Sequence, residues 1–143
     1  GAGAAAALLA AVESPHIRLA AVQDGGYGLE EIFGSLSENE RLRMRLRLGG
    51  TPKEKPEAYR IRSPIRRMAG LPGPVLILHA KKPRTYPLFQ ADALAGALRA
   101  KGHPHRLIII PGSSEELNPR LPSIKRHVLP FLREHLESGG NRG

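Results

Sequence analysis

Residues 74–79 read Pro-Val-Leu-Ile-Leu-His, and residues 106–110 read Arg-Leu-Ile-Ile-Ile before Pro111-Gly112. Both are short, nearly unbroken apolar runs. A strand with one wet face alternates apolar and polar residues. A continuous run is the mark of a strand covered on both faces, as in a parallel sheet between helices. Between the two runs, Phe89 to Ala100 has the spacing of an amphipathic helix, stopped by Gly102. Strand, helix, strand is the parallel crossover unit. Working outward, Ile124 to Leu136 reads as a closing helix, and Gly139 onward as a tail. Upstream, Gly1 to Val12 (GAGAAAALLAAV) opens on small residues and continues in strong helix formers. Ser14-Pro15 ends that helix, because the residue before proline is pushed out of helical geometry. Ile17 to Val22 reads as a short strand, Asp24-Gly25-Gly26 as a turn, and Leu29 to Leu36 as a short helix. The alternation predicts an α/β fold: a partial doubly wound parallel sheet of about three strands, with helices on both faces.

Residues 41–48 read RLRMRLRL. Their strict alternation has the period of a strand, but Arg, Leu and Met favour a helix. Ser37 and Glu40 form an S-x-x-E start, and Gly49-Gly50 supplies a stop. These predict a helix. Thr51 to Ala69, rich in proline and charge, reads as loop with short helical turns.

The formal charge is +9, and residues 40–67 carry ten Lys or Arg against three Glu, so +7 of it lies there. Such a surface favours anions. The plain reading is a solvated basic face. The alternative is a nucleic-acid-associated protein acting through residues 41–67. Arg41, Arg43, Arg45 and Arg47, with Arg66 and Arg67, are the candidate anion-binding residues. On a helix the first four spread around the circumference. Only three Phe, three Tyr and no Trp are present, so stacking on single-stranded bases has little support. There is no cysteine, which excludes disulfides, thiolate zinc sites and cysteine nucleophiles. No stretch has the apolar length of a membrane helix, and the Ala-rich start lacks a basic leader. The expectation is a cytoplasmic protein with no membrane partner.

The stretch Tyr59 to Leu117, YRIRSPIRRMAGLPGPVLILHAKKPRTYPLFQADALAGALRAKGHPHRLIIIPGSSEEL, resembles the end of an α/β-hydrolase domain of the prolyl-oligopeptidase-like kind. In that family an S-P-I segment precedes a strand ending in His-Gly. A conserved-type aspartate, a helix, a second strand and P-G-x-x-H follow. Gly1 to Gly28 resembles the nucleophile elbow, its helix and the next strand. The resemblance implies a serine hydrolase built on G-x-S-x-G, aspartate and histidine. It also places those positions here. Gly3 stands where the serine belongs, Pro83 where the aspartate belongs, and Glu115 where the histidine belongs. Ala4 stands at the residue whose N–H would serve the oxyanion hole. The further expectation is a truncated domain over residues 1–138, with residues 40–70 a basic helical and loop insertion between strands and 139–143 a flexible tail.

The chemistry does not survive these replacements. Glycine has no nucleophilic atom. Proline has neither a charge nor an N–H. Glu115 would be ionised near neutral pH, with a reference value of about 4.3, but finds no hydroxyl to activate at position 3. The expectation is a non-catalytic remnant or a binding or scaffold protein, inactive as a serine hydrolase. The alternative is a hydrolase with residual or non-standard catalysis.

Other constellations are weaker. His103 and His105 lie two apart with no third ligand at a recognisable spacing, so neither a metal nor another cofactor is expected. Ser113 and Ser114 lack a base, and Lys81 and Lys82 read as an exposed strand end. His79 is the family's strand-end histidine, a structural position by resemblance. With about three strands, the Ile17 to Val22 strand would have an open edge. A homo-oligomer, or a partner completing the sheet edge, is therefore expected.

Overall fold

The computed structural model describes residues 2–113 and 122–137. Three parallel strands, β1 (Ala20–Gln23), β2 (Val75–Lys82) and β3 (His105–Ser113), form one sheet in the order β1-β2-β3. The helices are α1 (Ala2–Glu13), α2 (Leu29–Ser35), α3 (Glu38–Leu48), α4 (Pro56–Arg60), α5 (Phe89–Ala100) and α6 (Pro122–Glu137). Two short 3₁₀ turns, Pro64–Arg66 and Met68–Gly70, precede β2.

The central strand shows why its apolar run is continuous. Every residue from Val75 to Ala80 is buried. Val75 and Ile77 pack with Ala4 and Leu8 of α1 and with Leu94 and Leu98 of α5. Leu76, Leu78 and Ala80 pack with Ile124 and Phe131 of α6. Alternate residues thus serve two cores, one on each face of the sheet.

All three strands differ in extent from what the periodicity predicts: β2 starts at Val75 and continues past His79 to Lys82. β1 starts at Ala20 and takes in Gln23, because pairing begins where the Ala20 N–H reaches Pro74 O (3.1 Å). β3 runs through Pro111 and Gly112 to Ser113 instead of stopping at the proline. Proline offers no ladder N–H, but the register is already irregular between Ala80 and Lys82 there. An edge or bulged strand accommodates proline at that kind of point.

RLRMRLRL is a helix. The Ser37 N–H and hydroxyl both donate to the Glu40 carboxylate, at 3.0 and 2.5 Å, and Gly49 closes α3 at φ 82° in the left-handed region. These bonds to Ser37 hold the Glu40 carboxyl below its ordinary value of 4.5. Its contribution is therefore full above that value and lost as pH falls through the lowered one. Met44 and Leu48, four apart, are half-buried, while Leu42 and Leu46 face outward. The Arg41 guanidinium donates to Leu36 O (2.9 Å) and Gly34 O (3.3 Å), which ties the start of α3 to the end of α2. At the other end, the Tyr59 hydroxyl donates to Gly50 O (2.9 Å).

The start of α2 has no cap of its own. The side-chain oxygen of buried Gln90, on α5, accepts from the N–H groups of Tyr27 and Gly28, both at 2.8 Å. Ser63 Oγ accepts from the Leu29 N–H (2.9 Å) and donates to Tyr59 O (2.8 Å). Helix N-terminal donors left bare inside a protein are costly, so two distant side chains perform the capping. Gln90→Leu keeps the bulk and removes the acceptor. The expected loss is about 2–4 kcal/mol, from two buried donors left unsatisfied. Urea unfolding measures it, and a loss under about 0.5 kcal/mol, the usual effect of a surface substitution, would contradict this role.

Candidate functional site

In a parallel sheet all strands end on one side, and open sheets of this kind present ligands with the crevice outside those carboxyl ends. Three segments meet at that end. The Asp24–Gly28 loop follows β1, and the Pro83–Pro87 loop follows β2. The third segment is the first turn of α1, since Ala4 lies against Gly25. Gly3 is exposed in that turn with open space around it. Pro83 is half-buried directly after β2. Glu115 lies outside the described residues, as do Ser114 and the 139–143 tail, and Ser113 ends β3.

A groove lies beside Pro83 at this end. It has a volume of about 690 Å³ and lies between α2, α3 and the loop after β2. Ile32, Leu36, Met44, Leu48 and Tyr86 contribute apolar surface, and Arg43 and Arg47 stand among its lining. Gly26 makes the closure of the two loops possible. A Cβ there would come within 2.6 Å of the Tyr86 ring. Pro83 lines this groove, whereas Gly3 and Ala4 do not.

The arginines singled out from the sequence divide by location. Arg41 caps α2. Arg66 bridges Glu30 (3.0 Å) and Glu31 (2.5 Å), and Arg67 pairs with Glu13. Arg45 lies on the outer side of α3, beside Gly49, Gly50 and Glu54. Arg43 and Arg47 alone of the six line the groove. The six do not form one basic stripe.

His79, within β2, has a pairing that sequence reasoning missed. His79 is fully buried. Its Nδ1–H donates to Ala80 O (2.9 Å) and faces Asp24 Oδ1 at 3.4 Å. Two oxygens at Nδ1 place the proton there, which fixes the tautomer. Asp24 is buried at φ 48°, a backbone region few non-glycine residues occupy. Its signal in the sequence is only that of a turn residue. Parallel register sets Gln23 against Leu78, and that alone carries Asp24 to His79. Tyr27, also buried, has its phenol pushed up by burial, so it stays neutral and adds no second negative charge beside Asp24.

His103 and His105 bond to backbone. His103 Nε2–H donates to Gly73 O (2.6 Å) and His105 Nδ1–H to His103 O (2.8 Å). Among the described residues no three His, Asp or Glu side chains gather as a metal site. Among them, too, no helix is long and apolar enough to cross a membrane.

The Asp24–His79 pair links the end of β1 to β2 and is expected to matter for stability. His79→Ala, which leaves a cavity and removes one partner of the buried Asp24 side chain, is expected to cost about 2–4 kcal/mol. Asp24→Asn keeps the shape and is expected to cost about 1 kcal/mol. Guanidinium unfolding of both variants checks the ordering, and equal losses would argue against a paired role.

No protein-family profile and no curated protein sequence matches the chain. Solved structures do. A Mycobacterium tuberculosis puromycin-hydrolyzing peptidase matches at 25% identity with a TM-score of 0.68, over 79% of this chain and 17% of its own. The Pyrococcus horikoshii acylaminoacyl peptidase matches at 19% identity with a TM-score of 0.75, over 93% of this chain and 22% of its own. Porphyromonas gingivalis dipeptidyl peptidase 4 matches at 20% identity with a TM-score of 0.52, over 59% of this chain and 12% of its own. The chain thus spans about a fifth or less of the length of these peptidases. Its three parallel strands with helices on both faces have the α/β-hydrolase fold of the prolyl-oligopeptidase-like peptidases.

Proposed function

We propose that this chain is a hydrolase-derived domain that binds and does not hydrolyse. The observation that carries the reading is the glycine at position 3. It sits in the first turn of α1, the place of the nucleophile by resemblance, with nothing around it within 4 Å of where a Cβ would be. There is room for a serine side chain, and the sequence supplies none. Pro83, at the place of the aspartate, supports the same reading, since it can neither accept a proton nor orient an imidazole. Losing triad members costs on the order of 10⁴ to 10⁶ in turnover. Of the neighbours' activities, peptide and puromycin hydrolysis are theirs by name; here the groove beside Pro83 is the part retained for use.

A fluorogenic ester panel, run with and without a serine-directed fluorophosphonate, tests the reading. The expected result is turnover equal to a heat-killed control and no covalent label. Turnover without labelling would favour non-standard hydrolysis through Glu115 or a lysine. The combined variant Gly3→Ser, Pro83→Asp, Glu115→His is also expected to stay inactive.

We also propose that the edge of β1 takes a strand from a second copy of the chain or from another chain. Among the described strands β1 pairs with β2 alone, and Ala21 is exposed along it. Open edges are templates for pairing. Sedimentation velocity at micromolar concentration is expected to show a species larger than a monomer, and a well-folded monomer there would overturn the idea.

A further inference from the structure

The groove between α2, α3 and the loop after β2 has apolar walls and a cationic rim, and its charges are unbalanced. Arg43 and Arg47 are four residues apart on α3 and line the same groove. Like charges at that spacing repel. Neither forms an ion pair with a carboxylate among the described residues. The acid in the lining is Glu40, and its carboxylate is held by Ser37. Glu40 lies close enough to Arg43 for that guanidinium to help lower its carboxyl, so Arg43 is offset in part while Arg47 has no carboxylate partner among the described residues, and an anion placed between the two would offset both.

Exposed arginines alone hold anions weakly. The walls decide what else the ligand carries. Ile32, Met44, Leu48 and Tyr86 present apolar surface, and a volume of about 690 Å³ lies within the ordinary range for small-molecule sites. Two of the walls are helix sides, whose backbone groups are bonded within their own helices. They offer no ladder to a peptide backbone, which favours an alkyl chain as the occupant. The walls are also fixed before binding. Arg41 pins the start of α3 and Tyr59 pins its end, so little ordering cost falls on a ligand.

We infer that this groove binds a medium-chain alkyl carboxylate, with its headgroup between Arg43 and Arg47 and its chain against Met44, Leu48 and Tyr86. The inference rests on the reading of the chain as a binding domain and adds the class of ligand.

Calorimetric titration of decanoate below its micelle concentration tests it on the whole chain. Saturable binding at one site is expected, with decanol binding more weakly. The double variant Arg43→Gln/Arg47→Gln is expected to weaken decanoate about tenfold or more and to leave decanol unchanged. Met44→Asp is expected to abolish both, with circular dichroism confirming that α3 remains helical. Arg45→Gln, on the outer side of α3, is expected to leave both unchanged. If Arg45→Gln weakens decanoate as much as the double variant, net charge is responsible and the site is overturned. Equal affinity for decanol and decanoate overturns the headgroup role. Tighter binding of N-acetyl-leucyl-leucine than of decanoate overturns the alkyl assignment in favour of a peptide carboxylate. Dissociation of a dimer on adding decanoate, seen by light scattering, would show the groove covered by a second copy, which also overturns it. A silent decanoate titration on a protein with no esterase turnover sinks this inference alone. Turnover in the ester panel sinks the binding reading on which it stands.

Discussion

Much of the architecture at the carboxyl end of the sheet depends on one buried amide. Gln90 sits at the start of α5, yet its oxygen accepts from the N–H groups of Tyr27 and Gly28, at the start of the preceding crossover. Those donors open α2, which has no capping side chain of its own. Without an acceptor they would be buried and unpaired, which a protein interior does not tolerate cheaply. The bond fixes where α2 begins, and α2 forms one wall of the groove. Through Arg41 and the carbonyls of Leu36 and Gly34, the end of α2 in turn fixes the start of α3. A chain of polar contacts thus runs from the core crossover to an otherwise exposed arginine-rich helix.

The second support joins β1 to β2. His79 lies within β2 and Asp24 directly after β1, side by side across the two parallel strands. Their pairing links the end of β1 to β2 by a means that needs no catalysis.

The charge of residues 40–67 illustrates how far composition can carry an argument. Read as a total, +7 invites a phosphate-binding surface. In the folded chain the same arginines cap a helix, bridge carboxylates or face in different directions. Only Arg43 and Arg47 share the groove with apolar walls. What the total hides is the pairing of each charge, and pairing decides whether an external anion gains anything by approaching.

The apolar run at 74–79, the amphipathic spacing of Phe89–Ala100 and the S-x-x-E start at Ser37 were legible because their physics is local. Burial on two faces, helical period and a capping box all act within a few residues. RLRMRLRL shows the limit, since its period pointed to a strand and its caps and propensity to a helix; the helix formed because Ser37, Glu40 and Gly49 close both ends. By itself the sequence determined the α/β class, the order of the elements and the identities of the residues at positions 3 and 83. Only the tertiary structure decided that Asp24 meets His79, that Gln90 caps a helix some sixty residues before it, that β3 continues through Pro111, and which arginines line a groove. Those contacts depend on parallel register and on crossover packing, which join residues far apart in the chain and leave no local pattern to read.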